Sequence, residues 1–166
     1  RPFSKNTKRD RTVLLSYRSG ERIREVLARE APGDKSPLRE LYLQLNDKVI
    51  YTAVKNFLLA AHELFWSKCK PDSFICKTVG IQALFDVLLA IAKEGFATKT
   101  FSVDFFIRKL GPAAEIDFGN ERFKNASGSG RLLIKNCIFA KAGLEKEKIE
   151  NLKEQQRKEI DEAIAG

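Results

Sequence analysis

The chain has 166 residues, of which 43% are hydrophobic and 31% are charged. This composition is typical of one globular domain with its own core, and it excludes wholesale disorder. No apolar run reaches the roughly 18–20 residues that a membrane span requires, and 30 Lys and Arg against 22 Asp and Glu give a net charge of +8, which favours acidic partners.

The beginning of the chain is its most basic part. Residues 1–24 contain eight Lys or Arg and only two Asp or Glu. Such a segment favours contact with a phosphate backbone, and a solvated tail is the alternative. Apolar residues at helical spacing follow, and a Pro-Gly turn ends them near residue 33. We therefore predict an N-terminal unit, residues 1–35, made of a basic arm and a first helix.

Residues 36–143 are predicted to form a helical core domain. Its first element, residues 36–45, has an apolar spacing that fits a helix and also a strand. A clearer amphipathic helix is predicted over residues 47–67, with Asn46 or Asp47 as its cap.

The most hydrophobic segment is residues 78–94, and its apolar side chains surround almost the whole helix. This pattern predicts a helix buried in the middle of the domain, ending at Gly95. Gln82 and Asp86 are its polar side chains, four residues apart on one face. Because an unpaired buried carboxylate is costly, we expect Asp86 to bind an Arg, a Lys or backbone donors. The two form either a structural polar pair or one that faces a neighbouring domain.

Two shorter helices are predicted next. One begins after a cap at Thr100 or Ser102 and ends at Gly111 and Pro112. An irregular stretch follows, and then a helix carrying Leu133, Ile134, Cys137 and Ile138. Residues 144–166 are rich in Glu, Lys, Gln and Arg, and we predict a charged C-terminal helix that is solvated or bound to a partner.

A Gly-rich step precedes the helix near residue 133 and is the most suggestive local feature. A helix N-terminus with free N–H groups beside an Arg is a natural site for an anion such as phosphate. The step lacks the P-loop pattern, and a loop that only caps the helix is the alternative. The predicted phosphate-binding residues are Lys5, Lys8, Arg9 and Arg11 of the arm and Ser127, Gly128, Ser129, Gly130 and Arg131 of the step.

Few residue patterns indicate catalysis. His62 is the only His, so a His-based metal site or a catalytic triad within this chain is nearly excluded. Glu115, Asp117 and Glu121 lie near one another, but their spacing is not diagnostic of acid–base or metal chemistry. We assign no catalytic residue, no metal ion and no cofactor; an enzyme fragment that uses a nucleotide or a metal is the third hypothesis.

The chain contains three Cys, at positions 69, 76 and 137. Cys69 and Cys76 are seven residues apart and lack the short spacing of zinc knuckles. We predict that all three are free thiols in a reducing cytoplasm.

Three segments of the chain resemble a known family. They are residues 77–86 (KTVGIQALFD), residues 116–118 (IDF) paired with 127–131 (SGSGR), and more weakly residues 1–5 (RPFSK). Together they resemble the C-terminal helical part of the DGQHR-domain family, which includes DndB-type regulators associated with bacterial DNA phosphorothioation. The namesake Asp-Gly-Gln-His-Arg motif does not occur in this sequence. The resemblance therefore implies that a motif-bearing half lies upstream.

We predict a mainly α-helical fold with five to seven helices around residues 78–94 and little or no sheet. The resemblance implies a DNA-associated regulatory module of a bacterial DNA-modification or phage-defence system, acting in the cytoplasm. The alternative is a protein-interaction domain that forms oligomers or docks to an upstream half without DNA affinity. In that case Gln82 and Asp86 would face the other half.

Overall fold

A computed structural model describes residues 46–124 and 129–165, together with Leu38 and Leu41. The chain divides into two compact units, Arg1–Tyr51 and Thr52–Gly166, and most described residues belong to the second. The predicted basic arm and first helix lie outside the described residues.

The described part of the chain is helical. It contains six α-helices: α1 (Asp47–Ala61), α2 (Thr78–Thr98), α3 (Val103–Leu110), α4 (Ser129–Ala142), α5 (Lys146–Glu150) and α6 (Glu154–Ala165). These residues include no β-strand. The predicted mainly α fold is therefore confirmed. None of the described helices combines the length and the apolar character needed to cross a membrane.

Helix α1 continues directly into one π-helical turn, His62–Trp66. The Ser67 amide donates to the His62 carbonyl at 2.8 Å and closes that turn. The predicted end near residue 67 is therefore confirmed, with a change of helix type in its last turn. The indole of Trp66 donates to the Ile75 carbonyl at 3.1 Å and ties this turn to the segment before α2.

Helix α2 lies at the centre of the second unit but is buried on one side only. Its buried side chains are Ala83, Leu84, Val87, Leu88, Ile91 and Ala92. Ile81, Phe85 and Leu89 are exposed to solvent on its other side. The prediction of a helix buried all round is therefore wrong on one face, because no helix within residues 46–124 and 129–165 packs over that face.

Helix α2 is also longer than its sequence predicts. Gly95 lies inside the helix, and the C-cap is Lys99 in a left-handed conformation with φ 53°. The Phe101 ring explains why a glycine is needed at position 95. A Cβ there would lie 2.5 Å from the Phe101 Cε1 atom, so Gly95 permits close approach and does not end the helix.

Helix α3 begins as its sequence predicts. The Ser102 hydroxyl accepts a hydrogen bond from the Phe105 amide at 3.2 Å, which satisfies one N–H of the first turn. Phe106 is fully buried and packs edge-to-face on Phe57 of α1, with ring centroids 5.4 Å apart. The short helix thereby joins α1 to the aromatic core.

The charged C-terminal segment is two helices, α5 and α6, and the prediction of one helix is wrong. It also belongs to the same core, because Ile160 and Ala163 of α6 are buried among core residues. Cys137 of α4 is buried beside α6, and its Sγ atom is 4.0 Å from the Ile160 carbonyl oxygen. Burial raises the pKa of the Cys137 thiol to about 12, so it stays protonated and unreactive.

Cys69 and Cys76 form a disulfide, so the prediction of three free thiols is wrong for this pair. The turn between them brings together the end of the π-helical turn and the segment before α2, a proximity that sequence spacing does not reveal. The Ser73 amide donates to the Lys70 carbonyl at 3.0 Å within that turn. Cys137 remains a free thiol, as predicted.

We predict that Gly80→Ala destabilises the fold. A Cβ at Gly80 would collide with the Ile75 Cα atom and the Phe74 carbonyl oxygen, which are backbone atoms and cannot rotate away. The expected loss is about 2–3 kcal/mol in the free energy of unfolding, measured by urea denaturation.

Gly119→Ala is the matched control. Gly119 is exposed, and the three nearest neighbours of a Cβ there are all atoms of the Asp117 side chain, the nearest at 3.0 Å. We expect this variant to change the free energy of unfolding by less than about 1 kcal/mol. Equal effects of the two substitutions would contradict the close contact at Gly80.

Candidate functional site

An apolar surface runs along the uncovered side of α2. Ile81, Phe85 and Leu89 follow one another at intervals of four, so they lie side by side on the helix. Their exposed fractions are 40%, 41% and 37%. We call these three residues the apolar face. Single exposed apolar residues are common, whereas a row of them is a candidate contact surface.

An ion pair between Asp86 of α2 and Arg131 of α4 borders the apolar face. Arg131 Nε donates to Asp86 Oδ2 at 2.6 Å, and Nη2 donates to Oδ1 at 2.5 Å. This bidentate geometry is the strongest form of the Arg–carboxylate interaction. The hydrogen bond to Asp86 raises the pKa of Arg131 above its usual value.

The positions of these two residues follow from the packing of α2 on α4. Asp86 follows Phe85 directly, at the edge of the apolar row. Arg131 lies in the first turn of α4, one residue before exposed Leu132 and one after buried Gly130. The ion pair therefore bridges the two helices beside the apolar face, and both side chains remain partly exposed, 26% for Asp86 and 43% for Arg131.

The expectation that Asp86 binds a basic partner is confirmed, and that partner is Arg131. Gln82 does not share the arrangement, because its side chain is exposed on the first turns of α2. The predicted polar pair is therefore an Asp–Arg bridge with a neutral amide nearby. Sequence reasoning missed Arg131 as the partner because the two residues are 45 positions apart.

The predicted phosphate site is only partly within the described residues. Its members Lys5, Lys8, Arg9, Arg11, Ser127 and Gly128 lie outside them. Ser129 is exposed, Gly130 is buried, and Arg131 is bound to Asp86. A phosphate group at Arg131 would therefore compete with a carboxylate that already holds the guanidinium in two hydrogen bonds.

The next cation along this side of α2 is also paired. Lys93 lies four residues after Leu89 and contacts Glu145 at 3.3 Å. Lys148 contacts the other oxygen of Glu145 at 2.7 Å. The hydrogen bond from Lys148, reinforced by Lys93, lowers the pKa of Glu145 below its usual value. Glu145 is thus shared by two lysines at this end of the apolar face.

Two of the three carboxylates considered for catalysis make local contacts within the chain. Asp117 accepts the Gly119 amide at 2.8 Å, and Glu121 pairs with Lys124 at 3.0 Å. Within residues 46–124 and 129–165, no group of three or more His, Cys, Asp or Glu side chains is placed to hold a metal ion.

A cleft of about 410 Å³ lies between the π-helical turn and the loop before Gly119. Lys68, Lys70, Asp72 and Asp117 line it over an apolar floor that includes Phe65 and Phe118. The predicted phosphate-binding residues within the described chain do not line this cleft, and its mixed charges select no ligand class.

Comparison of the chain with protein-family models, with curated proteins and with solved structures finds no match in any of the three.

We predict that Asp86 and Arg131 are energetically coupled. In a double-mutant cycle of Asp86→Ala, Arg131→Ala and the double variant, the coupling free energy should be about 1 kcal/mol, since the pair is bidentate but partly exposed to water. Urea denaturation at low salt measures it, and 1 M salt should reduce it. Additive single effects at low salt would contradict the ion pair.

Proposed function

We propose that this chain is a protein-interaction module that packs its apolar face on another folded protein surface. The observation that carries the proposal is the row Ile81, Phe85 and Leu89, left exposed on the central helix of the unit. The residue pattern of α2 is that of a helix buried on all sides. A partner would provide the cover that the rest of the unit does not.

The charges around the apolar face favour a protein over a nucleic acid or an anionic membrane. Both of those partners require cations that are free to meet phosphate groups. Arg131, the cation beside the centre of the face, is held by Asp86 in two hydrogen bonds. An apolar centre with a polar rim is the usual composition of a protein–protein interface.

The test is site-specific photo-crosslinking in cells that express the full chain. A photoreactive amino acid at position 85 should give discrete protein adducts, because it lies at the centre of the apolar face. The same amino acid at position 140 is the matched control. Ala140 is exposed on α4, nine residues after Arg131 and hence on the opposite side of that helix.

Protein adducts from position 85 and none from position 140 would support the proposal. Equal yields from both positions, or no protein adduct from position 85, would overturn it.

DNA binding is the second candidate function, and the charge distribution favours it. The first 45 residues hold 11 of the 30 Lys and Arg and 6 of the 22 Asp and Glu, which gives +5 there and +3 in the remainder. The proposal places phosphate contacts on Lys5, Lys8, Arg9 and Arg11, and it assigns the chain to a bacterial DNA-modification or phage-defence system through the family resemblance.

Salt-dependent binding to a labelled duplex tests this candidate. Replacing the four basic residues of the arm by Ser should flatten the plot of log affinity against log salt by up to about 0.9 per lost phosphate contact. Arg131→Ala should leave the slope unchanged, because Asp86 already neutralises Arg131. A wild-type slope in the four-residue variant, or no binding at low salt, would contradict it.

The cytoplasmic location predicted from the sequence stays a prediction.

A further inference from the structure

We infer that the Cys69–Cys76 disulfide is a site of reversible thiol–disulfide exchange with a low-molecular-weight thiol that carries carboxylate and ammonium groups. The site is the cleft of about 410 Å³ beside the π-helical turn, which Cys69 itself lines. Clefts of this size hold small molecules. The site shares no residue with the apolar face, so the inference goes beyond the proposed function and does not depend on it.

The disulfide is open to a dissolved thiol. Cys69 and Cys76 are half-buried, whereas Cys137 is fully buried. Exchange requires that a thiolate reach one sulfur of the disulfide, and cysteines that react are partly exposed while deeply buried ones are inert. The pair therefore meets the condition for exchange, and Cys137 serves as an internal control.

The charges around Cys69 match a small thiol of this kind. Lys68 and Lys70 are exposed on either side of Cys69 in the sequence, and both line the cleft. Within residues 46–124 and 129–165, neither lysine is held in an ion pair. Asp72 and Asp117 line the same cleft. The lysines suit the carboxylates of the thiol and the aspartates suit its ammonium group, so the sulfur selects the ligand class that the charges alone do not.

A buried hydroxyl in the cleft is an independent sign of a ligand. Ser73 lines the cleft and is only 3% exposed. Its side chain caps no N–H group of the turn that follows, and it makes no other hydrogen bond to the described residues. A buried hydroxyl without a partner is costly. A polar group of a bound small molecule would provide that partner.

The exchange takes place in two balanced steps. A thiolate of the small molecule attacks Cys69 Sγ and forms a new S–S bond there, while the bond to Cys76 breaks and Cys76 leaves as a thiolate that takes up a proton. A second small thiolate attacks the attached small molecule's sulfur and releases Cys69 in the same way. Two small thiols are thereby oxidised to one disulfide, and their two electrons and two protons convert Cys69 and Cys76 to thiols. Lys77 follows Cys76 directly, and a nearby cation stabilises the departing thiolate.

The fold does not depend on this bond, because other contacts hold the same two segments together. The Trp66 indole donates to the Ile75 carbonyl at 3.1 Å, and the Phe74 amide donates to the Phe118 carbonyl at 2.9 Å. Phe74 and Ile75 also belong to the hydrophobic core. Exchange therefore changes the wall of the cleft while the core stays packed.

Mass spectrometry of the folded full chain with an excess of reduced glutathione tests the inference. Glutathione should attach to Cys69 first, and Cys69 and Cys76 should then become free thiols while Cys137 stays unmodified. A chain purified with both cysteines reduced is tested with oxidised glutathione, which runs the same exchange in reverse. In that reaction Cys76→Ser should trap glutathione on Cys69 faster than Cys69→Ser traps it on Cys76, because Cys69 is the one that lines the cleft.

The lysines test the class of thiol. The double variant Lys68→Gln, Lys70→Gln should react with glutathione at least about threefold more slowly than the wild type, since it lacks the cations that attract the carboxylates. Lys141→Gln with Lys153→Gln is the matched control, because it removes the same charge from exposed lysines that do not line the cleft. The neutral thiol 2-mercaptoethanol should react with all three proteins at similar rates.

A folded chain whose Cys69 and Cys76 do not exchange with glutathione would overturn the inference. Equal glutathione rates in the two lysine variants, or attachment to Cys76 in preference to Cys69, would overturn it as well. These readouts are separate from photo-crosslinking at position 85, so the failure of either proposal leaves the other standing.

Discussion

The structure depends on how the apolar surface of α2 is divided between the core and the solvent. One side of this helix, with Leu84, Leu88 and Ile91, is buried among residues of the other helices. Close approach on that side requires glycine at positions 80 and 95, where any Cβ would collide with neighbouring atoms. In the part of the chain that the structure describes, the side with Phe85 receives no such cover. Burial of apolar surface stabilises the first side, and the same driving force makes the second side a place for association.

Local sequence signals predicted much of the fold because they depend on neighbours along the chain. The Ser102 cap of α3 and the apolar spacing of α1 and α4 act over one or two helical turns, and the structure contains all three features. Features that depend on distant segments were not predictable in the same way. Gly95 looks like a helix end until the Phe101 ring is placed beside it, and the Cys69–Cys76 disulfide depends on a turn that folds back.

The candidate site, like the fold, was predictable only where it depends on neighbouring residues in the sequence. Asp86 lies on an apolar helix, and this position alone predicts that it has a basic partner. The partner is 45 residues away in the sequence and becomes evident only when α4 is packed on α2. Arg131 looked like a free cation at a helix start, and the bridge changes its role to one that holds two helices together. The sequence of α2 is apolar almost all round, whereas the structure leaves one side of the helix exposed. The two observations are consistent if a second molecule covers that side. The sequence pattern would then reflect the bound state, and the unbound chain would expose the surface that binds.

The central claim is that the apolar face is uncovered in a single chain and so accessible to a protein partner. Hydroxyl-radical footprinting with mass spectrometry, on dilute purified protein, tests it directly. Phe85 should be oxidised readily while buried Phe57 and Phe106 are protected. Protection of Phe85 already in the dilute monomer would contradict the account, because the face would then be covered within the chain itself.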